Sequence, residues 1–229
     1  MNFNLRSRVA AEFLGSVFLL AGVVGSGIMG ERLAMGNVAI ALLANSLATG
    51  AILMVLVLIL GPISGAHLNP VVTLAMASSG NLLWCEVFVY LSVQFVGALA
   101  GVASANLMFG LPIFFASTHS RHGTALLWSE VIATFGLLFV IWGCVRFRPS
   151  ATAYAVGAYI TAAYWFTSST SFANPAVTLA RSASDTFAGI RFGDVPGFIA
   201  AQLLGATAAT AFFSWLVPVR PQQSQPKPW

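Results

Sequence analysis

Four long stretches of this chain contain no Asp, Glu, Lys or Arg: 33–85, 87–120, 149–180 and 195–219. A helix that crosses a bilayer needs about 20 mostly apolar residues, so the longer stretches hold more than one crossing. Over the whole chain 58% of residues are hydrophobic and 7% are charged, against about 25% charged in soluble domains. A soluble enzyme, a nucleic-acid-binding domain and a disordered chain are all poor readings of such a sequence. It reads as an all-α protein that crosses the lipid bilayer several times.

The net charge of +4 does not point to nucleic acid, because the basic residues are dispersed. Arg6 with Arg8, Arg146 with Arg148, and Arg220 with Lys227 form three separate flanks. Cytoplasmic flanks are enriched in Lys and Arg, so both termini are expected in the cytoplasm. Arg32, Arg121, Arg181 and Arg191 then fall outside, mostly near the acids Glu31, Asp185 and Asp194. Cys85 and Cys144 read as small packing residues rather than a disulfide. No cleaved signal peptide is expected, since the first apolar run leads directly into further spans.

Six spans can be placed, at roughly 9–30, 36–60, 84–107, 126–146, 152–168 and 195–217. Two intervening apolar segments, 62–79 and 168–190, are too short to cross. Gly25, Gly27 and Gly30 suit close helix contacts near the end of the first span. From Pro218 the chain becomes a proline- and glutamine-rich polar tail.

An internal repeat organises the spans. Asn69-Pro70-Val71-Val72-Thr73-Leu74-Ala75 recurs as Asn174-Pro175-Ala176-Val177-Thr178-Leu179-Ala180. Glu12 in the first span answers Glu130 in the fourth, and Gln94 in the third answers Gln202 in the sixth. The chain is thus expected to be one domain of two repeats, about 8–110 and 124–217, followed by the tail at 218–229. Three spans per half make the halves an inverted pair, which places a functional site at mid-membrane.

Proline suits the first position of a helix and asparagine the cap before it. Each repeated motif therefore reads as a re-entrant half-helix of about ten residues, reaching the bilayer centre without crossing it. Non-helical backbone at that depth is tolerated only when buried in protein or lining a wet cavity. Two helix N-termini facing one point create positive potential. The Asn69 and Asn174 amides, once their oxygens cap the helices, are expected to aim NH₂ groups into the lumen. Such a centre donates hydrogen bonds and repels cations, so it passes small neutral molecules more readily than ions. Two capped surface turns are the alternative, disfavoured by the matched placement of the copies.

These residues resemble a known family. Ser64-Gly65-Ala66-His67-Leu68-Asn69-Pro70 and Asn174-Pro175-Ala176, with glutamates in spans one and four, are similar to the aquaporin and aquaglyceroporin channels over about 8–217. The resemblance implies six spans, two half-helices, one pore per chain and a homotetramer. Val71 stands where the family's first motif has Ala. Where most of the family has an Arg, three positions after the second Asn, this chain has Val177. Counting by spacing puts the other narrow-point residues on Thr49, Ala162 and Ser171, with Phe172 or Tyr164 as the alternatives to the last two. A mouth with neither Arg nor aromatic residue implies a wide pore. The run from Asn174 to Arg181 and Asp185 to Ile190 also resembles a bacterial subgroup associated with arsenic detoxification. That implies the bacterial inner membrane, with arsenite and similar metalloid acids, glycerol and water as solutes. A water or general glycerol channel without a metalloid role is the alternative within the family.

The remaining polar residues divide the possibilities. Glu12 and Glu130, inside apolar spans, could form a proton relay of an ion-coupled secondary transporter. The resemblance implies instead that each holds a re-entrant loop by its backbone N–H groups. His67 reads as pore-lining or packing, since no Cys, Asp or Glu accompanies it as a metal ligand. Arg181 lies one turn beyond Val177 and has the i+4 spacing to Asp185 of a helix-end ion pair; an electrostatic influence on the vestibule is its alternative role. His119 and His122 read as loop residues facing water, Glu86 as interfacial, and Trp128, Trp165 and Trp215 as interfacial anchors. No catalytic motif, metal site or cofactor site is recognisable.

Overall fold

The computed structural model describes residues 3–218, and these form helices joined by loops. The tail after Pro218, with Arg220 and Lys227, lies outside the described residues. In chain order the helices are α1 (Leu5–Leu33), α2 (Val38–Ser64), α3 (Pro70–Ser78), α4 (Trp84–Met108), α5 (Thr124–Phe147), α6 (Thr152–Phe166), α7 (Pro175–Arg181) and α8 (Val195–Leu216). Five are long and apolar enough to cross a membrane unaided. The sixth crossing helix, α6, has 15 residues, about 22 Å at 1.5 Å per residue. A 3₁₀ turn at Pro149–Ala151 lengthens it at its N-terminus.

Local sequence sets most of the ends. Asn4 caps α1 by accepting from Ser7 N, and Asn37 caps α2 by accepting from Ala39 N and Ile40 N. The second span, expected to end near residue 60, continues as α2 to Ser64 with Pro62 inside it. A proline near a helix C-terminus forfeits one bond. The stop comes from Gly65 at φ 90°, a conformation that favours glycine.

The two halves pack alike. Helix α1 lies against α4 and α2, α5 lies against α8 and α6, and α2 against α6 joins the halves. Backbones touch at the first two crossings. A Cβ on Gly101 of α4 would collide with the Val17 carbonyl oxygen and lie 2.8 Å from Leu20 Cβ. One on Gly205 of α8 would likewise meet the Val131 carbonyl oxygen. Gly30, expected at a helix contact, sits 3.0 Å (by its added Cβ) from the Ala41 oxygen. Overpacking of this kind costs about 1–3 kcal/mol. Gly101→Val should therefore lower the thermal unfolding midpoint in detergent, followed by tryptophan fluorescence. An unchanged midpoint would show that the α1–α4 crossing can spread without loss.

The outside of the bundle is apolar. Phe88 is 79% exposed and Trp215 73%, with Ile59, Leu47 and Phe166 also exposed, a surface suited to hydrocarbon rather than water. Trp128 and Trp165 are exposed near helix ends. Both cysteines are free thiols, but Cys85 is exposed at the head of α4 rather than packed.

Candidate functional site

The half-helices start at the centre of the bundle, and their first residues are fixed by their own sequence. Asn69 Oδ1 accepts from Val71 N at 3.1 Å, and Asn174 Oδ1 accepts from Ala176 N at 3.0 Å and Val177 N at 3.3 Å. Pro70 and Pro175 occupy the first helical positions, where a missing N–H costs nothing. Helix α7 ends at Arg181 after 7 residues, shorter than expected.

The two asparagines then bind each other's segment. Asn69 Nδ2 donates to the Ala173 carbonyl and Asn174 Nδ2 donates to the Leu68 carbonyl, both at 2.8 Å. One N–H of each amide is thus spent across the centre, not in the lumen as expected, and one remains for solute. Both side chains line a cavity of about 50 Å³. Val71 points away from it, buried in the apolar core.

The loops entering the half-helices are strained in matching places. Ala66 and Leu68 have φ of 46° and 48°, and Ser171 and Ala173 have 49° and 47°. Left-handed non-glycine residues cost about 1–2 kcal/mol each. The glutamates compensate. Glu12 accepts from Ser64 Oγ at 2.7 Å, His67 N at 2.9 Å, Leu68 N at 2.7 Å and Gln94 Nε2 at 2.8 Å. Glu130 accepts from Phe172 N and Ala173 N at 2.9 Å and from Gln202 Nε2 at 2.7 Å. Both carboxylates are fully buried, with their oxygens committed to these donors, an arrangement that fits loop support and not a proton relay.

The glutamines carry the network into the half-helices. Gln94 Nε2 also donates to Thr73 Oγ1 at 2.9 Å, and Gln202 Nε2 to Thr178 Oγ1 at 2.8 Å. Each threonine hydroxyl donates to the carbonyl of its motif asparagine. Sequence reasoning missed these threonines, although both stand at the same place in the repeated heptapeptide. His67 Nδ1 lies 3.1 Å from Thr73 Oγ1. Since the threonine hydrogen goes to Asn69, this contact assigns the ring N–H to Nδ1 and leaves Nε2 an acceptor.

His67 lines both the central cavity and a vestibule of about 410 Å³ that opens on the Arg8 side. Beyond the asparagines the lumen narrows between two kinds of wall. Leu19, Val23, Ile160 and Val177 make the aliphatic side. Thr49 and Tyr164, whose hydroxyls lie 3.2 Å apart, are on the polar side.

Three expectations about the mouth need correction. Ala162 is exposed on the outer face of α6; Ile160 and Tyr164, one helical turn apart, face the lumen instead. Ser171 lines the cavity, but so does Phe172, so aromatic side chains are present. A guanidinium is present too. Arg181 lies one turn after Val177 on the same face of α7, is 2% exposed, and lines the cavity. Its Nε–H donates to the Ala188 carbonyl, and its Cζ stands 3.4 Å from the centre of the Phe172 ring. The i+4 spacing from Val177 could have revealed this placement. The mouth therefore carries an arginine and aromatic side chains, contrary to the expectation.

Nor does Arg181 pair with Asp185. That carboxylate accepts from Thr118 N at 2.8 Å and Thr118 Oγ1 at 3.0 Å, with His119 at 3.9 Å. It thereby ties the 109–123 loop over the second re-entrant segment, helped by Phe115 N to Ala183 O and Ser117 N to Ser182 O. Arg121 of this loop donates to the Gly189 carbonyl and lies 5.0 Å from the Phe172 ring centre, and Arg191 pairs with Asp194. Chiefly the Thr118 backbone N–H, against the opposing effect of burial and with help from the Thr118 hydroxyl, holds the Asp185 carboxyl below its ordinary value. A depressed acid stabilises above its unfolded pKa, and that stability disappears as pH falls through its folded pKa. The protection factor of the 115–119 amides, relative to their intrinsic exchange at each pH, should thus hold from about pH 5 to 8 and fall below about pH 4. Asp185→Asn should show the lowered protection at every pH. Equal exchange in the two proteins would remove Asp185 as the tie.

Comparison with known proteins agrees with this geometry. Residues 2–149 match the family described as Major intrinsic protein. Aquaglyceroporin AqpS of Rhizobium meliloti (strain 1021) is 54% identical over 227 residues, 99% of this chain and 97% of that protein. Aquaporin NIP1-1 of Arabidopsis thaliana is 34% identical over 145 residues, covering 59% of this chain and 48% of that one. The X-ray structure of the aquaglyceroporin from Plasmodium falciparum superposes with a TM-score of 0.72 over 92% of this chain and 96% of that chain, at 19% identity, a likeness of fold. The chain therefore belongs to the major intrinsic protein family, as a multi-pass membrane channel and not an enzyme.

Proposed function

We propose that the chain is a passive channel for small uncharged hydroxylated solutes, with arsenite and glycerol-like molecules as its main cargo and water as co-permeant. The observation that carries this reading is the two-sided constriction. Val177, Val23 and Ile160 offer an aliphatic wall, while Asn69, Asn174, Thr49 and Tyr164 offer hydrogen-bonding groups along the lumen. A molecule with hydroxyls on one edge and apolar surface on the other loses little on leaving water here. A metal cation gains no carboxylate, because Glu12 and Glu130 are occupied by loop donors, and it meets Arg181.

The assignment of arsenite rests on Val177 and on the resemblance of Asn174 to Arg181 and Asp185 to Ile190 to the arsenic-associated subgroup; trihydroxy-arsenic is uncharged at neutral pH and of glycerol size, and the 54% identity to Aquaglyceroporin AqpS supports a glycerol-type channel. We read Thr49, Ser171 and Val177 as filter residues, joined by Tyr164, Phe172 and Arg181 and not by Ala162. The two repeats, about 8–110 and 124–217, form one channel unit, assembled as a homotetramer in the bacterial inner membrane with both termini cytoplasmic.

The test is a stopped-flow light-scattering panel on vesicles containing the purified protein. Arsenite and glycerol should enter faster than in empty vesicles, with no proton or sodium gradient. Water entry without arsenite or glycerol entry would favour a water-selective pore, which the small cavity volume also suits. Dependence on an ion gradient would mean a secondary transporter.

A further inference from the structure

Two guanidinium groups meet at the mouth, and they differ in what they face. Arg181 lines the central cavity, whereas Arg121, in the loop between α4 and α5, does not. They share two footings. Both lie by the Phe172 ring, with Cζ 3.4 Å (Arg181) and 5.0 Å (Arg121) from its centre. Both also bind one turn of the second re-entrant segment. Arg181 Nε donates to the Ala188 carbonyl, and Arg121 donates to the carbonyls on either side of it, Gly189 at 2.7 Å and Phe187 at 3.5 Å. A further Arg121 nitrogen reaches the Ser169 carbonyl at 3.4 Å.

The two are not held equally. Arg121 N donates to Asp194 Oδ2 at 2.8 Å, Asp194 is bound by Arg191, and Arg191 N donates to the His119 carbonyl. Arg121 is thereby fixed through its main chain to the start of α8. Arg181 is the last residue of a 7-residue helix, and its long side chain has other staggered rotamers within reach. Where its guanidinium rests is therefore set by the groups around it. Carbonyl oxygens are the acceptors that a guanidinium leaving water needs, and Arg121 already holds three of them. Like charges at close range repel, and the charge of Arg121 opposes that of Arg181.

We propose that Arg121 is a positioning residue of the filter: by occupying the Gly189, Phe187 and Ser169 carbonyls and sharing the Phe172 ring, it keeps the Arg181 guanidinium turned toward the lumen. The proposal rests on the solute-filter reading of the constriction and adds what sets its width. Without Arg121 the Arg181 fork turns to the freed carbonyls, and the lumen beside Val177 gains the volume that it leaves.

The experiment measures glycerol and water permeability, per molecule of monodisperse protein, in vesicles holding single and double variants. In Arg121→Gln the glycerol-to-water ratio should rise about fivefold, within the coupling that side chains in contact commonly show. Arg121→Lys, which keeps the charge and a donor for Gly189, should stay near the original ratio. Added to Arg181→Gln, Arg121→Gln should change the ratio by less than about twofold, since the side chain it acts through is gone. Arg121→Met, of similar length but without charge or donors, is run beside it and carries the same cycle if the amide variant does not fold. An unchanged or lower ratio on loss of Arg121 would overturn the proposal. So would an equal rise in the Arg181→Gln background, which a merely loosened loop would give. If the unaltered channel passes water alone, the glycerol reading fails and the same cycle is read on water permeability. A rise there that vanishes with Arg181→Gln supports the proposal, and one that persists, or no rise, overturns it.

Discussion

Val177→Arg is expected to reduce glycerol and arsenite permeation more than tenfold while affecting water less. The new side chain would start one helical turn from Arg181, on the face of α7 that lines the cavity. Residues at i and i+4 lie about 6 Å apart, and two cations at that distance repel by roughly 3 kcal/mol at an effective dielectric constant near 20. The side chains would share about 50 Å³, with the Phe172 ring already covered by Arg181. The incoming guanidinium therefore extends across the lumen and occupies volume that a three-carbon solute needs. The check is the same vesicle panel, with Val177→Ala as the control that enlarges the space. Undiminished glycerol and arsenite rates in Val177→Arg would place the narrowest point somewhere other than beside Val177.

The largest effect on the folded state is expected from Glu12→Gln and Glu130→Gln. Each exchanges a two-oxygen acceptor for an amide whose NH₂ faces donors. Glu12 satisfies Ser64, His67 N, Leu68 N and Gln94, and Glu130 satisfies two loop N–H groups and Gln202. Hydrogen bonds to charged groups contribute about 1.5–3 kcal/mol each. Two lost per variant amount to about 3–6 kcal/mol, a large part of the usual net stability of about 5–15 kcal/mol. Both variants should melt well below the original protein, with Glu12→Gln the lower because it supports four donors. Flux should fall with the loss of the loop conformation. A variant that melts normally but loses only gradient-driven transport would instead establish a proton relay.

Much of this site is legible in the linear chain. Asn-Pro suits a helix start because capping and a fixed φ are local properties, and the matched placement of Asn69-Pro70 and Asn174-Pro175 in the repeat singles out α3 and α7 over two surface turns. The glutamate and glutamine landmarks were visible by their repetition, and an acid inside an apolar span requires an explanation. Their donors were less visible, since backbone N–H groups have no sequence signature. The expectation of a mouth with neither arginine nor aromatic residue failed for a specific reason. Counting positions from Val177 and Thr49 treats the filter as fixed points, whereas an arginine side chain reaches a full turn. The i+4 spacing suits Arg181 both to an ion pair with Asp185 and to a place at the vestibule, and only the first of these fails. The strap from Phe115 to His119 claims that carboxylate, and the Ala188 carbonyl and Phe172 ring claim the guanidinium.

By itself the amino-acid order determined the solvent of the protein, the count of crossings, the inverted pairing of the halves and the two half-helix starts. Each of these rests on apolar run length, repetition or a cap, and none requires a distant partner. Only the tertiary structure decided that each asparagine amide crosses to the opposite segment, that Tyr164 and not Ala162 faces the lumen, and that Arg181 lines the mouth. Those outcomes depend on helix rotation and on which long-range acceptor reaches a donor first. Such competition is settled by packing across the whole bundle, not by neighbours in the chain.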